Sequence, residues 1–371
     1  MEDVISILCS GMGLGVYIPS LLIDCQLRKR GIKTEVFIVE SYFREDKLER
    51  LKENKKAFHN SFQVAVLGHR MAKGDVRPNL DTDKIDALLQ YWQRHHRKHF
   101  IVMSGHWPVI LESYIEKVGA DHLNIDAVRM DSDVAPTWKN FRNDKNYFNE
   151  IWLFDNVTKD LPYCISVSNS APIPFHDRED RFLIHGGGWG MGTYRSKCKE
   201  LNAKGLALDI VAYEKDEIEQ SHAGNRYYLM EPDWSPWLKS NNGRYEFPPM
   251  YAVDKESGLK RLYTEDYQPI FDVCRKCKGI ISKPGGGTLL DSLASATPVI
   301  FIEPIAKHEQ TNAALWECLG LGISYQTWAE QGYATDILEE IHHNIVAKRH
   351  QVPDYVDGFV SRYGLEGISV T

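Results

Sequence analysis

Three glycine-rich turns have the composition that suits anion chemistry: Gly11-Met12-Gly13-Leu14-Gly15, Gly186 to Gly192 (reading GGGWGMG), and Pro284-Gly285-Gly286-Gly287. Each stands between an apolar, β-branched run and a helical pattern, so its backbone N–H groups face outward at the positive end of a helix dipole, where phosphate binds. Thr288 adds a hydroxyl donor behind the third turn, and Asp291 follows about one helical turn later. A carboxylate there is within reach of a group attached to an anion that rests on the helix end. Gly187, Gly188 and Gly190 with Gly285, Gly286 and Gly287 are therefore the candidate diphosphate cradle, and Gly11, Gly13 and Gly15 a weaker third one. Glu309 and Gln310 supply mixed hydrogen-bond acceptors and donors.

Side chains able to take a proton also stand at the C-terminal ends of expected N-terminal strands. His106, in Ser104-Gly105-His106-Trp107-Pro108, has that address and titrates in a range suited to base work near neutral pH. Asp131 and Asp133, after the run 123–129, are carboxylate alternatives, and His69 follows an apolar run at 63–67 read as a strand.

The elements that position these residues alternate as βαβ units do. Strands are expected at 4–10, 34–40, 63–67, 100–104, 123–129 and 151–154, with helices between them. A Ser/Pro/Asn/Asp-rich stretch at 166–181 then interrupts the pattern, which restarts with strands at 182–185, 206–213, 279–282 and 299–302. Helices are expected at 267–277, 288–296, 311–319 and 336–349, which leaves 308–310 in a loop. The expected organisation is an N-terminal Rossmann-like domain over 1–172, a second over 173–349, and a tail at 350–371 that returns to the first. The fold class is α/β, two doubly wound domains facing a central cleft. A chain of 371 residues is long enough for two cores.

Several chemistries are disfavoured. The first turn lacks the third glycine of a dinucleotide fingerprint, and no glycine loop ends in Lys-Ser/Thr, so neither NAD nor ATP hydrolysis is indicated. Cys274-x-x-Cys277 has no second ligand pair, so no structural metal is expected. A formal charge of −7 with both signs interspersed offers nucleic acid no basic face. No apolar run approaches a membrane span, and Glu2 and Asp3 stand where a signal peptide carries basic residues, which points to a cytoplasmic protein.

The segment 282–313, SKPGGGTLLDSLASATPVIFIEPIAKHEQTNA, resembles the donor-binding signature of GT-B glycosyltransferases, nearest to the MurG-like group that uses UDP-sugars. The resemblance implies that Asp291 accepts hydrogen bonds from both ribose hydroxyls, and that the stretch holding Glu309, Gln310, Asn312 and Ala313 faces the donor sugar. It implies transfer of a hexosyl or N-acetylhexosaminyl group from a nucleoside-diphosphate-sugar, UDP favoured, to a small-molecule or lipid acceptor. No cofactor is implied, since the nucleotide-sugar is a substrate, and no divalent metal is obligatory. The chain departs from the pattern in its first loop: relatives often carry a histidine where Val16 stands, and valine takes no proton. A nucleotide-sugar epimerase on the same plan and a non-catalytic nucleotide-binding partner subunit fit the same residues.

Overall fold

The computed structural model describes residues 3–71, 75–219, 224–254, 256 and 258–365. The first sheet contains β1 (Val4–Cys9), β2 (Lys33–Ile38), β3 (His99–Val102), β4 (Asn124–Arg129) and β5 (Asn149–Trp152), all parallel, in the order β2-β1-β3-β4-β5. Alternate residues enter two different cores: Ile5, Ile7 and Ile101 pack in one, Leu8, Phe100 and Val102 in the other. That is why VISILC is apolar at every position but the buried Ser6, since both faces of the strand are covered.

The second sheet contains β6 (Glu179–Ile184), β7 (Ala207–Ala212), β8 (Arg226–Met230), β9 (Met250–Asp254), β10 (Gly258–Leu262), β11 (Cys277–Ser282), β12 (Val299–Phe301) and β13 (Gly322–Ser324). Its order is β10-β9-β8-β7-β6-β11-β12-β13. The six strands from β8 to β13 are parallel, whereas β9 and β10 run antiparallel at one edge, an addition to the plain doubly wound plan. Strand order reverses between β1 and β3 in the first sheet and between β6 and β11 in the second, and the crevice beyond the strand ends at such a reversal is where ligands of these sheets lodge.

Three sequence expectations are corrected. The run 63–67 is not a strand: Phe62–Met71 is a helix that folds back on helix Glu45–Asn60 after the extended Ser61. Its apolar residues do not alternate between core and solvent as a strand's would: Ala65 is buried and Phe62 and Val66 pack against the core, whereas Val64, Leu67 and Met71 are exposed. Helix Lys307–Cys318 begins four residues earlier than expected, which moves His308, Glu309 and Gln310 from a loop into its first turn. Ala306 at its cap has no side-chain oxygen, and the Glu309 carboxylate instead accepts the Ile305 N–H at 2.6 Å. The expected helix 267–277 shortens to Ile270–Cys274, because Pro269 stands at its start and Cys277 opens β11.

Helix Tyr355–Tyr363 reaches β4 of the first sheet. There the fully buried Asp126 accepts from Tyr355 Oη at 3.0 Å, Arg362 Nη1 at 2.6 Å, Tyr363 Oη at 2.7 Å and Asn149 Nδ2 at 2.9 Å. Residues 366–371 of the expected tail lie outside the described residues.

Candidate active site between the two sheets

Because β6 and β11 are neighbours, the turns that follow them are neighbours as well. Both open onto a cavity of about 270 Å3 between the two halves, lined by Gly187 and Gly188 from one turn and by Gly285, Gly286 and Gly287 from the other. Lys283 lies between them. Its Nζ is 3.8 Å from where a Cβ on Gly187 would stand, and it donates to Glu309 Oε1 at 2.9 Å. Helix Gly286–Ser295 starts at Gly285 with no side-chain cap, so its first N–H groups are left for the cavity.

Two of these glycines also let the halves approach each other. A Cβ on Gly188 would lie 2.2 Å from the Gly13 carbonyl oxygen, and one on Gly286 would lie 2.7 Å from that of Met130. Asn312 fastens the same seam: its Nδ2 donates to Asp131 Oδ1 at 2.8 Å and to the Pro284 carbonyl at 2.9 Å, while its Oδ1 accepts from the N–H of Ser132 at 2.8 Å. On the far side of the cavity His59, buried on helix Glu45–Asn60, meets Glu217 through Nε2 at 2.9 Å and faces the Gly190 carbonyl through Nδ1 at 3.1 Å.

The candidate residues divide. Thr288, Asp291, Glu309, His106, Asp131, Gly13 and Gly15 line the cavity with the glycines already named, as do His69 and Val16. Gly190 does not; it packs on His59 and Tyr213. Gln310 is exposed and Gly11 packs on Pro236, so neither lines it. The Gly187 N–H is already held by His185 Nδ1 at 3.1 Å, which leaves the start of helix Gly286–Ser295 as the less encumbered anion site. Glu309 faces the cavity with both oxygens engaged, by Lys283 and by Ile305, so it holds the lysine rather than offering free acceptors to a sugar.

Asp291 has the opposite character. No described residue bonds or pairs with its carboxylate, and desolvation pushes its pKa up to about 7. Burial likewise raises Asp131, with the His308 charge and the Asn312 hydrogen bond opposing. It depresses His106 and His185 to about 4, and His69 to about 4 with help from Lys283. Desolvation opposes the charge on Glu309, yet Lys283 and His308 hold its carboxyl below the usual range.

The first glycine loop is filled from within. Gly11 N–H donates to Glu40 Oε2 at 2.8 Å, Ser10 Oγ donates to Oε1, and Glu40 is fully buried. The N–H and hydroxyl donors that an outside anion would need at this turn are taken by the chain's own Glu40 carboxyl, whose pKa burial raises.

No protein-family model and no curated protein matches the chain. Solved structures match over almost all of it. The glycosyltransferase SnogD from Streptomyces nogalater superposes with a TM-score of 0.54 at 14% identity, covering 99% of this chain and 100% of its own. MurG from Acinetobacter baumannii gives 0.52 at 13%, covering 97% and 99%. The glycosyltransferase VinC in complex with dTDP gives 0.53 at 10%, covering 96% and 99%. The chain has the GT-B fold. The cleft between the two sheets is lined by Lys283, Asp291 and glycines of both turns.

Lys283, His185 and His308 line this cleft and were not singled out from the sequence. Signals for two of them were present: His185 ends a strand directly before Gly186, and Lys283 precedes Pro284 inside the segment that resembles a donor signature. Among the described residues no group of three His, Cys, Asp or Glu is arranged to hold a metal, and no helix is long and apolar enough to cross a membrane.

Proposed function

We propose that this GT-B chain transfers a sugar from a nucleoside-diphosphate-sugar, UDP favoured, to a hydroxyl-bearing acceptor. The observation that carries the reading is the buried Lys283 ammonium, set between the turn after β6 and the uncapped N-terminus of helix Gly286–Ser295, with the unpaired Asp291 further along that helix.

Diphosphate oxygens would meet the N–H groups of Gly286, Gly287 and Thr288, the Thr288 hydroxyl and Lys283, while Asp291 accepts from the ribose hydroxyls. As the anomeric C–O bond breaks, its electron pair passes to the departing diphosphate. Prearranged dipoles and an ammonium are the groups that stabilise such developing charge. The acceptor oxygen forms the new bond to the anomeric carbon and gives up its proton to a base. His106 is our choice, because burial holds it neutral near pH 7 and it lines the cavity in the N-terminal half. Asp131 is the alternative, although its Oδ1 already accepts from Asn312.

Calorimetry over UDP, GDP, dTDP, ADP and their sugars, repeated with Asp291→Ala, tests the donor side. UDP compounds should bind the parent and bind the variant at least about tenfold more weakly. Equal affinity for both proteins would remove Asp291 from the ribose. Product analysis with a bound UDP-sugar then separates transfer, which yields an acceptor conjugate, from epimerisation, which yields a rearranged donor.

A further inference from the structure

The two walls of the cavity differ in charge. The C-terminal wall carries Lys283, the single Lys or Arg among the described residues that line the cavity. The N-terminal wall presents Met12, Leu14, Val16, Ile18, Leu22 and Phe58, all apolar. Its titratable groups are the imidazoles of His69 and His106 and the carboxyl of Asp131.

A glycine loop ahead of a helix is ordinarily where this wall would take a phosphate. In this chain Glu40 occupies that loop from beneath, bonded by the Gly11 N–H at 2.8 Å and by the Ser10 hydroxyl. Ser10 itself lines the cavity, so the filled loop lies directly behind the apolar wall. An acceptor bearing phosphate, diphosphate or carboxylate would therefore be desolvated beside Asp131 and above Glu40, with no cation on its side of the cleft. Buried charge without a partner is strongly disfavoured.

Building on the proposed donor site, we infer that the acceptor is a neutral, hydroxyl-bearing apolar molecule whose body lies on Met12, Leu14, Val16, Ile18, Leu22 and Phe58, and that Glu40 bars anionic acceptors from the first glycine loop. An alcohol is a weak nucleophile while it keeps its proton, so this acceptor class calls for the base assigned above. The proton leaves the hydroxyl for that base as the oxygen bonds to the anomeric carbon.

The test is displacement of the neutral fluorophore N-phenyl-1-naphthylamine by decanol and by decyl phosphate, with and without UDP, on the full chain. Decanol should displace it at a concentration at least about tenfold lower than decyl phosphate does. Glu40→Ala, which empties the loop, should narrow that gap by about tenfold through tighter decyl phosphate binding, with decanol little changed. Should Glu40→Ala fail to fold, Val16→Lys places a cation on the same wall and should narrow the gap in the same direction. Decyl phosphate matching decanol on the parent protein overturns the inference, as does a fluorophore that decanol does not displace. Without UDP the phosphate of decyl phosphate can also reach Lys283 across the same cavity, so the comparison with decyl phosphate is decided in the arm with UDP bound, while displacement by decanol without UDP reads the apolar wall by itself and stands even if UDP fails to bind.

Discussion

The Lys283 ammonium lies 2.9 Å from Oε1 of Glu309, and both side chains are buried. The pair sits in the seam between the two glycine turns, where a diphosphate would compete with Glu309 for the lysine.

Removing either member alone strands the other. Lys283→Met should destabilise the protein by about 3–5 kcal/mol, whereas the double variant Lys283→Met/Glu309→Gln should recover part of that loss, because no buried charge is left unpaired. Urea unfolding of the four proteins in the cycle measures this. Calorimetry should show UDP affinity reduced in both variants that lack the lysine. Unchanged affinity in Lys283→Met would take the ammonium out of the donor site.

Asp291 sets a pH dependence. Its folded pKa of about 7 lies above the ordinary aspartate value of 3.8, so the folded protein binds more protons between those values. Stability from this group is therefore full below about pH 4, declines as pH rises toward 7, and is flat above it. Asp291→Asn should accordingly be the more stable protein at pH 8, by on the order of 2 kcal/mol after allowance for partial solvent access, and equal to the parent near pH 4. Affinity of the parent for a UDP-sugar, whose diphosphate does not titrate near neutrality, should rise with pH through 7, and that slope should vanish in Asp291→Asn.

His106→Ala should lower turnover by about 10²–10⁴-fold with donor affinity retained, the range for loss of a general base. With its pKa held at about 4 by burial, the parent's kcat should stay flat through neutrality and fall on the acid side near pH 4. An Asp131→Asn protein with the larger loss would transfer the role to the carboxylate.

His59 joins helix Glu45–Asn60 to the turn after β6 through Glu217 and the Gly190 carbonyl. Desolvation opposes the charge on Glu217, but the His59 contact and the Tyr194 hydroxyl depress its pKa overall. The stability it lends is present above about pH 4.5, the ordinary glutamate value, and is lost on acidification below it. His59→Ala should lower the melting temperature near pH 7, weaken UDP binding through the loosened turn, and show a smaller penalty at pH 3.5. Differential scanning calorimetry at the two pH values reports it.

The parts of the fold set by local pattern were readable in advance. Apolar runs such as VISILC and the glycine turns behind β6 and β11 announce parallel strands feeding helices, and the cleft follows from where strand order reverses. The segment 62–71 misled because its apolar residues Val64, Leu67 and Met71 face solvent, so burial and hydrophobicity part company there. Glu309 was found as a site residue, but its partners were not, since Lys283 lies 26 positions away in sequence and meets it only because the turn after β11 and the first turn of helix Lys307–Cys318 open onto the same cavity. Glu40 was invisible for the same reason: it stands after β2 and reaches the loop after β1 only because those strands are adjacent.

The clasp on Asp126 makes the N-terminal sheet dependent on the last helix. Cleavage before Tyr355 would strip three donors at once from a carboxylate with no exposure, leaving Asn149 as its remaining side-chain partner in the middle of β4. A C-terminal clip would thus be felt first as unfolding at the opposite end of the polypeptide, so proteolytic loss of this short helix should read out as collapse of the N-terminal half while the C-terminal half still holds its shape.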